Sequence, residues 1–263
     1  VVRDGTWTVY VNDRKTCEEP LPDEADPWLM LHADYQYTTG VRNLKITGQP
    51  RVPESLTLSA LPDLTGWHPY DDAPWEKRGD TIVSQGGRPN RNGDLVPEPR
   101  TWQERALRYH RPLLEDGEIE YDFYYEPEKV HGHPALDRLV FLLDPEGVRV
   151  HWLTDGIHDR TGLHPDNATT EPKNRRGPTK LPLKPKAWNH LKLSLAGDTV
   201  ILHLNGVEIY QRVLESTNQR TFGLFHYADE TTMRVRNVTY RGQWPRQLPR
   251  ADALWARTKS AAK

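Results

Sequence analysis

The chain has one cysteine, Cys17, among its 263 residues, so no internal disulfide can staple it. A lone thiol with no helix around it is also a weak candidate nucleophile. No window approaches eighteen uncharged apolar residues, and residues 1 to 30 lack the basic-then-apolar order of a signal peptide. Neither a membrane-inserting helix nor a leader is therefore expected in this stretch. Charge of one sign is missing as well. Thirty-five basic residues against 37 acidic ones leave a net charge of -2, which removes the field that would draw the chain to nucleic acid or to an anionic membrane. There is no phosphate loop, no cysteine cluster at zinc spacing and no Gly-x-Ser-x-Gly elbow, so nucleotide chemistry and serine hydrolysis have no footing. Numbering starts at Val1 and not at methionine, and a preceding segment is expected.

What the chain does have is turn chemistry between short runs of β-branched, aromatic and aliphatic residues. Its 22 prolines and 18 glycines interrupt every stretch long enough for a regular helix. GEIEYDFYYEP (117–127) alternates, with Glu118, Glu120, Asp122 and Tyr124 on one face and Ile119, Tyr121, Phe123 and Tyr125 on the other. LDRLVFLL (136–143) and GVRVHWL (147–153) read as strands joined through DPEG, a tight-turn sequence. WNHLKLSLAGDTVILHLNGVEIY (188–210) reads as three strands turning at Ala196-Gly197-Asp198 and at Asn205-Gly206. RTFGLFHYA and TMRVRNVTYRG supply two more. This spacing predicts an all-β chain: a two-sheet antiparallel β-sandwich of jelly-roll type with an extra N-terminal β segment. Residues 154–187 lose periodicity and predict a long loop whose basic, proline-rich second half is either a solvated excursion or a cationic lip for an anionic ligand.

Two stretches say nearly the same thing. GVRNLKITGQP (40–50) is echoed by RVRNVTYRGQWP (234–245), and the alignment on Asn43 and Asn237 also places His32 on His226. Upstream, GTWTVYVN (5–12) matches GDTVILHLN (197–205). Residues 1–48 are therefore expected to be the closing strands of a partial, repeat-related sandwich, residues 49–249 a complete one, and residues 250–263 a tail. Such a fragment is barely stable alone, so its expected partner is a preceding sandwich domain of the same protein or another copy of the chain.

LPDLTGWHPY and Trp75, then GDTIVSQ, the Trp188-Asn189-His190 strand start, the Asn205-Gly206 corner and FGLFHYADETTMRVRNVTYRG together resemble the concanavalin A-like lectin/glucanase superfamily. Within it the pattern is similar to bacterial 3-keto-disaccharide hydrolase-like domains and to uncharacterised domains of large secreted bacterial proteins. The resemblance spans roughly residues 50–245 and rests on scaffold elements, so it speaks for the fold and not for catalysis. It implies a carbohydrate ligand and a secreted, periplasmic or cell-surface setting.

Three groups of residues could carry chemistry. Glu118, Glu120 and Asp122 share a strand face, as do the acids of the Glu-x-Asp-x-Glu motif of retaining glucanases. Here the order is Glu, Glu, Asp and the strand comes early, and an exposed acidic sheet face explains them as well. VHGHPALDR brings His131, His133, Asp137 and Arg138 close in sequence, with His151 on the next strand. Imidazoles beside a carboxylate can hold a divalent metal or share acid-base work, though Gly132 and Pro134 place them in a loop. Finally, His151, Trp152, Asp155 and His158, with His226, Tyr227, Asp229 and Glu230, set aromatic rings beside acids and imidazoles, as sugar binding requires. Trp67, Trp75 and Trp188 are assigned to the core. The leading expectation is a carbohydrate-binding module of a secreted bacterial multidomain protein, needing no certain cofactor. The alternatives are a glycan-cleaving hydrolase using Glu120, His131, His133 and Asp137, with a divalent metal as the candidate cofactor, and a structural surface-assembly module.

Overall fold

In the computed structural model of the protein, the described residues are 1–23, 25–26, 28–29, 42–43, 45, 53–61, 63–70, 74–86, 88–89, 95–96, 104–154, 161–164 and 166–244. The chain opens with β1 (Val2–Arg3), β2 (Thr6–Val11) and β3 (Arg14–Pro20), followed by β4 (Leu56–Thr57), β5 (Trp67–Pro69), β6 (Trp75–Arg78), β7 (Thr81–Ser84), β8 (Arg88–Pro89), β9 (Leu95–Val96) and β10 (Glu104–Tyr109). The second half holds β11 (Gly117–Tyr125), β12 (His133–Leu136), β13 (Leu139–Asp144), β14 (Gly147–Trp152), β15 (Thr169–Thr170), β16 (Ala187–Ala196), β17 (Thr199–Leu204), β18 (Val207–Val213), β19 (Phe222–Tyr227) and β20 (Met233–Gly242). No α-helix occurs among the described residues, and none of their helices is long and apolar enough to cross a membrane.

Two large antiparallel sheets form the sandwich. One has seven strands in the order β15-β14-β13-β12-β19-β10-β5; the other runs β18-β17-β16-β11-β20-β7-β6, with β4 joining β20. Alternation explains which faces meet. Ile119, Tyr121 and Phe123 of β11 and Leu191, Leu193 and Leu195 of β16 point inward against Leu139 and Phe141 of β13 and Phe222 and Leu224 of β19. Rings span the gap, Tyr121 to Phe222 at 6.1 Å and Phe141 to Tyr210 at 5.7 Å. Each such fully buried side chain contributes about 1.5–3 kcal/mol of hydrophobic free energy, before the entropy of ordering it is charged against the total. The expected two-sheet antiparallel sandwich is the fold observed.

The corners follow turn chemistry. β17 and β18 pair through Leu204 and Val207, leaving Asn205 (φ 50°) and Gly206 (φ 83°) as a two-residue turn with both residues left-handed. The first hairpin repeats this arrangement: β2 and β3 pair through Val11 and Arg14 around Asn12 (φ 48°) and Asp13 (φ 62°). Asn43 (φ 59°) and Asn237 (φ 56°), equivalent in the sequence echo, are also both left-handed. β1-β2-β3 form a separate three-stranded sheet on which Val2, Tyr10 and Val11 are exposed. Further along, Asp26 accepts hydrogen bonds from the Tyr109 hydroxyl (2.7 Å) and lies 2.6 Å from His110 Nε2, while Trp28 packs between Trp244 and the Arg111 guanidinium.

Two expectations need correcting. The single strand expected over 136–143 is two, because Asp137 adopts φ 56° and Asp137-Arg138 form a corner between Leu136 and Leu139. The His131–His133 stretch is only partly loop, since His133 opens β12. The 154–187 region is tied down where it is described. Asn167 brackets the Trp152 backbone, accepting from its N–H (3.0 Å) and donating to its carbonyl (2.9 Å), and Glu171 pairs with Arg212 at 3.1 Å. Residues 250–263 lie outside the described residues.

Candidate functional site

A set of accessible polar and aromatic side chains gathers on the outer face of the eight-stranded sheet, where β16, β11 and β20 run side by side. Register pairing sets its rows. Asp122 of β11 stands opposite His190 of β16 and Arg236 of β20, Tyr124 stands opposite Trp188, and Glu118 stands opposite Ser194 and Arg241. The inward neighbours are apolar, so the same alternation that builds the core places these polar and aromatic side chains on the other side.

A bulge shapes the centre. Between Glu120 and Asp122 the β11–β20 register shifts, so β20 carries an extra residue and Asn237 is left-handed there. In consequence both Arg236 and Asn237 reach Asp122: the Asn237 amide donates to Oδ2 at 2.8 Å and Arg236 Nε lies 3.7 Å from it, while His190 Nδ1 lies 3.0 Å from Oδ1. Glu118 accepts from Lys192 Nζ (3.1 Å) and from the Ser194 hydroxyl (3.2 Å). Beside this polar row Trp188 and Tyr124 meet edge to face at 5.7 Å; the Arg236 guanidinium lies 4.1 Å from the Trp188 ring centre and that of Arg234 5.5 Å from Tyr124. Next to Arg234 a cleft of about 730 Å³ opens over β7, lined by Arg78, Thr81, Val83, Gln85, Thr232 and Arg234 among others. Partly exposed rings next to a carboxylate held by an imidazole, an amide and a guanidinium provide apolar faces and fixed hydrogen-bonding groups together.

The residues singled out in the sequence divide among different places. Glu118, Glu120 and Asp122 share the outer face described above, and Glu120 makes no hydrogen bond or ion pair among the described residues. His131 and His133 lie on the opposite side of the core: the Tyr121 hydroxyl, pointing inward from β11, is 3.5 Å from the Gly132 carbonyl. Gly132 is required there, because a Cβ would stand 2.7 Å from Phe123 Cβ. His133 is buried and its Nδ1 accepts from the Leu143 N–H at 3.0 Å. Burial, reinforced by the neighbouring imidazoles and Arg149, holds its pKa well below the ordinary histidine value; His131 is lowered by burial too. Asp137 caps the far end of β12, accepting from the Gln219 N–H, and Arg138 donates to the Leu153 carbonyl. Glu120, His131, His133 and Asp137 are therefore not gathered at one point. Asp229 and Glu230 are exposed in the turn after Tyr227, which is half-buried beside His151 and Phe225. Trp152 packs against the core with Arg212 5.6 Å from its ring. Asp155 and His158, like His32, lie outside the described residues.

His226 and His151 are interior groups. His226 Nε2 is 2.8 Å from the Ser84 hydroxyl and Nδ1 3.3 Å from that of Thr231, so it ties the two sheets together; burial, and Arg105 opposite it, push its pKa down to about 3. His151 is wholly buried between the Asn167 carbonyl and Glu104, whose Oε1 is 2.6 Å from Nε2. Glu104 also accepts from the Thr154 N–H (3.1 Å) and hydroxyl (2.5 Å). A carbonyl only accepts, so Nδ1 is the donor to Asn167, and Nε2 faces the Glu104 carboxylate. No group of three or more His, Cys, Asp or Glu side chains among the described residues is placed to hold a metal ion.

Sequence reading missed Trp188, Tyr124, His190, Arg234, Arg236 and Asn237 as site residues. Trp188, assigned to the core, stands instead on the outer face of β16. The signal lay in parity: Trp188 is one residue out of step with inward Asn189, Leu191 and Leu193. Glu104 gave no signal, because its partner His151 is 47 residues away.

No protein of curated function matches the chain in sequence. Among solved structures it is similar to the carbohydrate-binding module CBM66 of Bacillus subtilis, at 17% identity and TM-score 0.43 over 67% of this chain and 96% of that one. It is similar also to a provisionally named glycosyl hydrolase of Parabacteroides distasonis, at 15% identity and TM-score 0.42 over 72% and 100% of the two chains. Residues 1–97 match a family described as a protein of unknown function, DUF1581. Residues 99–247, more than half of the chain, match the model of a domain of unknown function, and the chain belongs to that family, DUF1583_N.

Proposed function

We propose that the chain is a glycan-binding module whose platform is the outer face of β16, β11 and β20. One observation carries this reading: Trp188 and Tyr124 stand together on a solvent-facing sheet surface, beside an Asp122 held by His190, Asn237 and Arg236. Sugar rings offer apolar C–H faces edged by hydroxyls, and this surface offers aromatic faces edged by a fixed acceptor and fixed donors. The setting that suits such a module is secreted, periplasmic or on the cell surface of a bacterium, within a multidomain protein. The N-terminal segment fits that setting as the closing part of a related sandwich, supported by left-handed Asn12 and Asn43 at positions matching left-handed Asn205 and Asn237. A preceding sandwich domain or another copy of the chain would be its partner.

Binding of the full chain to an array of plant, algal and bacterial polysaccharides tests the reading. Trp188→Ala is expected to weaken the best ligand by about 1 kcal/mol or more, roughly fivefold in Kd or greater, with the thermal transition little changed. No binding to any glycan by the unaltered chain, or equal binding by Trp188→Ala, would remove the platform.

A further inference from the structure

Across β7 the outer face of the eight-stranded sheet is laid out in two rows. Register pairing places Arg236, Thr81 and Arg78 in one, and Arg234, Val83 and Glu76 in the next. Thr81 and Val83 thus form the floor of the cleft of about 730 Å³, with Arg234 of β20 on one side and Arg78 of β6 on the other. The two walls are two strand spacings apart, roughly 10 Å.

The charges in this cleft do not cancel. Arg78 is ion-paired with Glu76, which also accepts from the Gln85 amide at 3.3 Å, and Arg236 shares Asp122 with His190 and Asn237. Arg234 is different. It is exposed, it lines the cleft, its guanidinium lies 5.5 Å from the Tyr124 ring centre, and no carboxylate among the described residues reaches it. Among the described residues that line the cleft there is no acid, and of its two guanidinium groups Arg78 is matched by Glu76 while Arg234 is matched by none. The remaining polar lining, Thr81, Gln85 and Thr232, is hydroxyl and amide, suited to sugar hydroxyls, and Val83 supplies an apolar floor. An arginine fork left without a carboxylate, at the mouth of a cleft, is a receptor for a planar or tetrahedral anion, because it binds such groups through two parallel hydrogen bonds.

We propose that this cleft takes an acidic sugar, one bearing a carboxylate or a sulfate, with Arg234 as the residue that grips the anion and the Trp188–Tyr124 platform receiving the neighbouring residues of the same chain. The inference rests on the glycan-binding reading and narrows it to anionic glycans. Specificity then comes from two adjoining parts of one face. The aromatic rings accept any sugar of suitable shape, and the Arg234 guanidinium, without a carboxylate partner among the described residues, selects those with an acid group facing β7.

The test compares three probes on the full chain by titration calorimetry: polygalacturonate oligosaccharides, the same oligosaccharides with their carboxyl groups reduced to alcohols, and sulfated galactan oligosaccharides. At least one acidic probe is expected to bind tenfold or more tighter than the reduced form, and more weakly as salt is raised. Arg234→Ala is expected to lose about tenfold to a hundredfold on that acidic probe and so to erase its advantage over the reduced one. Arg234→Gln, which keeps the bulk without the charge, should behave alike and guards against misfolding of the alanine variant. Which acidic probe wins tells carboxylate from sulfate. If acidic and reduced forms bind equally while Trp188→Ala weakens both, the acidic preference is overturned and the glycan platform stands. If the acidic advantage survives both Arg234 variants, the assignment to this cleft is overturned. If no probe binds at all, the acidic preference is overturned, and the glycan platform falls with it only if the polysaccharide array is blank as well.

Discussion

Replacing His226 by glutamine should make the protein less sensitive to mild acid. His226 is fully buried between the sheets, hydrogen-bonded to Ser84 and Thr231, with Arg105 directly across the β10–β19 pairing and His131 nearby. Loss of solvation, with the Arg105 charge adding to it, lowers its pKa from 6.5 to about 3. The sign follows from which state takes the proton. Below pH 6.5 the unfolded chain accepts one that the native imidazole refuses, so stability present above 6.5 drains away as the pH falls toward 3. At pH 5 the unfolded state gains 1.5 pH units of protonation free energy, so His226 alone costs about 2 kcal/mol of stability relative to neutral pH. For a domain of this size that lowers Tm by about 4–8 °C. His133 is displaced in the same direction and adds its own loss, so the wild-type slope below pH 6 should exceed one proton. The carboxylates with lowered values, Asp26, Asp63 and Glu171, begin to matter only nearer pH 4. Glutamine keeps an amide for Ser84 and Thr231 and has nothing to titrate. Urea denaturation at half-unit steps from pH 5 to 7.5 should show two stability curves converging by about 2 kcal/mol as the pH falls. Parallel curves would refute the assignment of a neutral, proton-refusing His226.

Three further outcomes are expected. Glu104→Ala removes the partner of buried His151 and the acceptor of both Thr154 donors, and should cost about 3–5 kcal/mol by urea denaturation. Gly132→Ala drives a methyl group to within 2.7 Å of Phe123 Cβ and should cost about 1–3 kcal/mol by the same measurement. At Asn205, alanine loses both the tolerance of positive φ and the side-chain bonds to Pro182, Asn189 and His190, whereas glycine loses only the bonds. The two variants should therefore differ by about 1–2 kcal/mol in thermal or chemical unfolding, with glycine the more stable.

Much of the sandwich was legible because its longest strands alternate strictly and its corners use residues that tolerate positive φ. The 188–210 stretch contained three strands and both their turns in plain sequence, since apolar parity holds from Leu191 through Leu204 and the Asn205-Gly206 corner has few other uses. The 136–143 stretch misled for the opposite reason. LDRLVFLL is nearly continuous in apolar character, so parity gave no warning that Asp137 turns left-handed and splits it. Where the seven-stranded sheet is buried on both sides, the alternation on which sequence reading relies is lost: Ala135, Val140, Leu142 and Phe225 pack on the face away from the main core, so β12, β13 and β19 are buried almost throughout and their sequences hardly alternate.

The candidate site shows a related limit. Glu118, Glu120 and Asp122 were found because acids at every second position are visible along one strand, but a binding face is assembled across strands. Trp188 and Tyr124 are 64 residues apart in sequence and become neighbours only through the β11–β16 register. The bulge that brings Asn237 to Asp122 depends on one extra residue in β20, and nothing local in RVRNVTYRG announces it except an asparagine where a strand residue would be expected. That asparagine was legible for another reason: it recurs at Asn43, with the same left-handed backbone. What local chemistry dictates, a residue able to adopt positive φ, repeats in both stretches and can be read from sequence; what register supplies, the carboxylate that Asn237 holds, cannot. For this face the bulge is therefore the joint between fold and function, since it is one backbone irregularity that sets Asp122 among its donors and leaves Arg234, three residues earlier on β20, turned toward the open cleft.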